Sequence, residues 1–245
     1  MSYPINYPTP QGANIQIFNG QNETATGHIY SRTWVKPQGA SFVWFTLIGA
    51  GGTGGLQADG GNGGGGGSGA VTNFMCPAFL IPNDLQINIG SSDNITSVVY
   101  QQKDGTGYTL LTANNGTAGN TDIGGAGGTA MTANYFTPIG FFQSVAGQNG
   151  ASNGSISASS TTFLSGGAGS GGTSTGNYGY TNAGALGRYG FFMMQPIIVG
   201  VSNTGNISTT VRARSAVGCG GSGANDNTGF LASAGGPGMV VIITW

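Results

Sequence analysis

The sequence predicts an all-β chain of short strands and packed glycine-rich, polyglycine II-like segments, with essentially no helix. Three observations lead there. Gly occurs 50 times in 245 residues, where about 7% is average. Apolar residues between the glycine blocks alternate with period two, and no stretch carries a 3.6-residue apolar period. Charged residues make up 5% of the chain against about 25% in an ordinary globular protein. Disordered chains combine high net charge with few aromatics, whereas this one has a formal net charge of -1 and 10% aromatics. It reads as folded, and long enough to bury a core.

The elements follow in order. Residues 1–27 read as an attachment arm or an extra strand, since "NIQIFNG" alternates Ile15 and Ile17 with polar neighbours. Residues 28–245 read as one glycine-rich domain. "SFVWFTLIG" places Phe42, Trp44, Thr46 and Ile48 on one face and Val43, Phe45 and Leu47 on the other. Both faces are mostly apolar, which predicts a central strand. The longest glycine-free run, "VTNFMCPAFLIPNDLQINI", carries Pro77 and Pro82, which argue against a helix. "DLQINIG", "NITSVVY", "GYTLL" and the closing "GMVVIITW" are further strand candidates. Glycine blocks fall near 49–70, 105–129, 147–190 and 200–238.

Gly49-x-Gly51-x-x-Gly54 has the spacing of a dinucleotide fingerprint. That site needs a helix after the glycines and an acidic residue about 20 positions on. Each interior glycine costs a helix about 1 kcal/mol relative to alanine, so "GLQADGGNGGGGGSGA" cannot supply one. No Gly-Lys-Ser/Thr occurs, which removes the P-loop reading. The spacing has another regularity. Ala50, Thr53 and Leu56 recur every third position, as do Ala126 with Thr129 and Cys219 with Ser222. Three residues per turn is the period of polyproline II, which makes no internal hydrogen bonds. Such segments can pack side by side, bonding to their neighbours and adding Cα–H···O contacts. Flexible linkers are the alternative; packing is expected because the blocks are separated by apolar anchors.

Six basic residues cannot neutralise a row of phosphates, so nucleic-acid binding is not expected. The near-zero charge favours assembly. No apolar run is long enough for a transmembrane helix, and no segment resembles a secretion signal. Cys76 and Cys219 match no metal or redox spacing and are expected to be two buried thiols, with a disulfide between them as the alternative.

"TWVKPQGASFVWFTLIGAGGTGG", with the closing "GGPGMVVIITW", resembles the glycine-rich domain of bacteriophage tail-fibre and adhesin tips. It is also similar to domains in surface proteins of large DNA viruses. The resemblance covers residues 28–245 and rests on Trp34, Pro37, Gly39, Phe42 to Ile48, Gly49 to Gly52, and Gly238 to Trp245. It implies a two-strand clamp, in which Trp34, Phe42, Trp44 and Phe45 meet Val240, Ile242 and Trp245. It also implies a sandwich of polyglycine II helices whose connecting loops contact a host. The long Ser/Thr/Asn/aromatic stretches here depart from the pattern.

Catalysis needs placed acids, bases or nucleophiles. The chain has one histidine, His28, and its acids Glu23, Asp59, Asp84, Asp93, Asp104, Asp122 and Asp226 are dispersed beside turn-forming residues. "SSDN" and "ANDN" lack the ligand density of a calcium loop. No enzyme, cofactor or metal is expected. "NYGYTNAGALGRYGFFMM" gathers Tyr178, Tyr180, Arg188 and Tyr189 among small residues, the set that adaptable recognition surfaces favour. "ANYFTPIGFFQ" adds Tyr135 and Phe136, as a receptor loop or a subunit interface. These six are the candidate receptor-binding residues, and rings capping glycine sheets are the structural alternative. The expected protein is a virion-surface subunit made in the host cytoplasm: tail-fibre tip, spike or capsid-associated component. Its expected partners are other copies of itself (a trimer, as viral fibres commonly are), other virion proteins, and a host surface glycan or protein. Extracellular cellular adhesin or self-assembling fibre is the alternative, followed by an ice-binding protein.

Overall fold

A computed structural model describes residues 13–20, 28–57, 63–152, 217–221, 223–225, 232 and 234–245. The protein is all-β, built on two antiparallel sheets. The strands are β1 (Asn14–Asn19), β2 (Ile29–Val35), β3 (Phe42–Ile48), β4 (Leu56–Gln57), β5 (Val71–Pro77), β6 (Asp84–Gly90), β7 (Thr96–Gln101), β8 (Gly107–Ala113), β9 (Phe141–Val145), β10 (Ala224–Asn225) and β11 (Met239–Thr244). Two 3-10 turns, Ala78–Leu80 and Thr137–Ile139, interrupt them. A five-stranded sheet runs β1-β11-β3-β5-β9 and a four-stranded one β2-β6-β7-β8, with β4 and β10 forming a short parallel pair.

Strand β3 sits at the middle of the larger sheet, as its two apolar faces require. Val43, Phe45 and Leu47 point toward the second sheet and join one core with Trp34, Leu85, Ile87, Ile89, Val98 and Leu111. Trp34 meets Phe45 edge-on, ring centroids 5.8 Å apart. Ile48 turns to the opposite face and packs with Val71, Met239, Val241 and Cys219. Between these apolar ends, the buried hydroxyl of Thr46 donates to Asn73 Oδ1 at 2.8 Å, because a polar group here needs a partner.

Strands β3 and β11 pair, with Leu47 opposite Val240, Phe45 opposite Ile242 and Trp44 opposite Ile243, whereas Trp34 lies on β2 in the other sheet, opposite Leu85. Trp245 stacks on Phe42 at 5.9 Å, and its carbonyl accepts from the amides of Ser41 and Phe42. Trp245 is half-buried rather than enclosed. Residues 14–19 of the N-terminal segment form β1, which pairs with β11. Phe141–Val145, whose first residues belong to the stretch expected to be a receptor loop or a subunit interface, is the edge strand β9 on β5.

The two cysteines lie in separate clusters on opposite faces of the larger sheet, each a buried thiol. Burial pushes the Cys76 thiol up to about 11, while the Lys36 ammonium pulls the other way. A thiol held protonated is a poor nucleophile. Native protein is therefore expected to resist iodoacetamide at Cys76 at pH 8, whereas unfolded protein labels readily. The sign follows from linkage: the raised value contributes stability below the unfolded thiol's range, lost as pH rises toward 11. Peptide mass mapping of labelled Cys76 as a function of pH checks this; rapid native labelling at pH 8 contradicts it.

Candidate functional site

The glycine segments form one body joined by backbone hydrogen bonds. Segment 64–70 lies at its centre. Gly64, Gly67 and Ala70 donate their amides to the carbonyls of Asn120, Thr117 and Asn114; Gly65 and Ser68 donate to Ala151 and Gln148; Gly66 and Gly69 donate to Gly221 and Gly218. These bonds measure 2.7–3.0 Å. Three consecutive amides thus serve three different neighbouring segments, and the assignment repeats every three residues. The spacing of three seen in the sequence reappears as the period of the hydrogen bonding. Two further segments donate inward, Gly49, Gly52 and Gly55 to Ala70, Gly67 and Gly64, and Gly125 and Gly128 to Gly65 and Ser68.

For the central segment 64–70 this arrangement explains why glycine is needed at two positions in three. A Cβ built on Gly64, Gly66, Gly67 or Gly69 would fall within 3.0 Å of the carbonyl of Ile123, Gly52, Ala126 or Gly49 respectively. In each case a glycine Cα hydrogen occupies that direction, which places it to make a Cα–H···O contact. The third position of each triplet tolerates a side chain: Ala50 and Ser68 are buried in gaps, whereas Ala126 and Thr129 face outward. Ser68 uses its gap to accept from the Gln148 amide at 2.7 Å.

The sheets hold the body together at its root. Strand β3 runs directly into segment 49–55, β8 into 114–120 and β9 into 146–151, while 63–70 runs into β5 and 234–238 into β11. The β6–β7 turn adds a latch. Asp93 takes φ of 66°, which Asp tolerates better than most side chains. Its carboxylate accepts from the Thr53 amide at 3.2 Å and from the Thr53 hydroxyl, and its own amide donates to Gly51. Ser92 donates to Gly51 and accepts from the Gly235 amide. The sequence shows Asp93 beside turn-forming residues and too few ligands for a calcium loop, but not its partner Thr53, 40 positions away. Replacing Asp93 by alanine is expected to cost about 1–3 kcal/mol through the orphaned Thr53 donors. Asp93→Asn keeps one acceptor and should cost less; urea unfolding of both variants checks the order.

The predicted recognition residues divide. Tyr135 is 69% exposed, but Phe136 is 7% exposed and packs on Phe74 at 4.8 Å. Phe136 is thus a core residue and not a receptor contact. Asn134 explains the split: its Oδ1 accepts from the amides of Phe136 and Thr137, and its Nδ2 donates to Leu110 O. That Asx turn fixes the Phe136 ring inward and leaves Tyr135 outside. Tyr178, Tyr180, Arg188 and Tyr189 lie outside the described residues. Of the clamp residues, Trp34, Phe45, Val240 and Ile242 are buried, Trp44 is half-buried and Phe42 is exposed, the last two on the opposite sheet face.

Among the described residues no group of three or more His, Cys, Asp or Glu is placed to hold a metal ion. No helix among them is long and apolar enough to cross a membrane. Comparison with protein-family models and with curated proteins finds no match.

Proposed function

We propose that the chain is a non-enzymatic surface subunit of a virus particle, a tail-fibre tip, spike or capsid-associated protein that serves host attachment, particle structure or both. The observation that supports this reading best is the hydrogen-bonded glycine body rooted in a β-sandwich. Its amides are spent on neighbouring segments, and its tight backbone contacts leave little that a protease can grip. Such a body suits a stiff exposed projection better than it suits a reaction centre, and it matches the resemblance to phage adhesin and large-virus surface domains.

The outer face of the larger sheet supports a reading of self-association. Ile15, Ile243, Trp44, Met75 and Phe141 stand in one row across its five strands, and Ile15 and Phe141 are more than half exposed. An uncharged apolar band of this kind marks an interaction surface, here with further copies (a trimer) or with other virion proteins. Gold-labelled antibody against the recombinant chain, viewed on the source material by electron microscopy, tests the proposal. Label on fibres, spikes or faces of particles supports it. Label on cell-surface filaments with particles bare overturns it in favour of a cellular extracellular adhesin.

A further inference from the structure

The end of the sandwich remote from the glycine body carries a cleft of about 410 Å3 between the β2–β3 loop and the 3-10 turn after β5. Its size is at the lower end for a small-molecule site. Val35, Pro37 and Phe79 supply apolar wall, Gln38 and Asn83 bring amides, and Lys36 brings a charge. Phe79 is 81% exposed. An aromatic ring left this open contributes nothing to the core, and its free face is a platform for a flat apolar partner.

Lys36 sets the ligand's charge. Its ammonium donates to the carbonyls of Ala78 at 2.9 Å and Ile81 at 2.7 Å. An ammonium has three donors, so one N–H and the whole positive charge are left over. No Asp or Glu lines the cleft; the nearest in the ladder, Asp84, pairs with Val35 and is not part of the lining. A ring with one apolar face, hydroxyls at its rim and a carboxylate satisfies all of these groups together.

We propose that this cleft binds a carboxylated sugar, stacked on Phe79, hydrogen-bonded by Gln38 and Asn83, and paired through its carboxylate with Lys36. The inference deepens the surface-protein reading, and rests on it for its biological role, by naming the class of host molecule recognised. The full chain titrated with methyl glycosides of N-acetylneuraminic acid, glucuronic acid and glucose, followed by ligand-observed saturation-transfer NMR, tests it. Both acidic sugars should bind and glucose at least about tenfold more weakly. Phe79→Ala should weaken binding of the acidic sugars about tenfold or more with thermal unfolding unchanged, since the ring is outside the core. Lys36→Met should remove the discrimination against glucose. Saturation transfer from none of the three, equal binding of glucose and glucuronate, or affinity untouched by Phe79→Ala would each overturn the proposal. Gold labelling decides the particle location separately, so a cleft that binds no sugar leaves that reading standing.

Discussion

Gly66→Ala is expected to destabilise the protein by at least about 3 kcal/mol, the upper part of the range for overpacking a core. The added Cβ would fall within 3.0 Å of the Gly52 carbonyl carbon and oxygen and of the Thr53 carbonyl oxygen. A flexible side chain could yield, but these are backbone atoms tied on both sides: Gly52 donates to Gly67 and accepts from Gly221. Moving one segment therefore pulls on two others. For a chain of this size the loss corresponds to a fall in Tm of about 6–12 °C or more. Gly107→Ala is the matched control. Its Cβ would meet only Val99 Cγ1, at 3.4 Å, and should shift stability by no more than about 1 kcal/mol. Calorimetry of the two variants side by side separates packed glycine from merely frequent glycine.

Removing Val240–Trp245 is expected to abolish folding. The segment supplies most of β11, which stands between β1 and β3. Without it β1 loses its partner and β3, the centre of the sheet, becomes an edge. Val240, Val241 and Ile242 are buried, each contributing about 1.5–3 kcal/mol, and the Trp245 stack on Phe42 goes as well. That loss is comparable with the whole stability of a domain, about 5–15 kcal/mol. Size-exclusion chromatography and circular dichroism of the truncated chain should show an aggregated or unstructured product. A soluble species with unchanged thermal unfolding would mean that the clamp does not hold the fold.

Much of this architecture was legible in the sequence where local pattern and environment agree. Strand β3 declared itself because both its faces are apolar, which only a central position rewards. The triplets Gly-Gly-Thr and Gly-Ala-Gly showed their period because the segments around 64–70 meet neighbouring backbone at two phases in three, whereas 114–120 and 146–151 need glycine at one phase only. Other features were not legible because they depend on distant partners. The pairing of Ile15 with Ile243 joins residues 228 positions apart, by their numbering, and nothing near either end signals it. "FFQSV" becomes β9 only because β5 offers an edge, and Phe136 is core while Tyr135 is surface because of Asn134, not because of ring chemistry. Phe79 lies inside a run read only as non-helical, and Lys36 inside the separate stretch that carries the family resemblance. Their meeting across the end of the sandwich needed the register of β2 on β6 and of β3 on β5.

Hydrogen–deuterium exchange at the amides of residues 64–70 tests the central claim most directly. Each amide there is bonded to another segment at 2.7–3.0 Å, in the part of the glycine body that lies at its centre. Protection should therefore match that of β3 and span all seven residues, with no relief every third position. Exchange at free-chain rates through Gly64–Ala70, while β3 stayed protected, would show the glycine segments to be linkers and contradict the account.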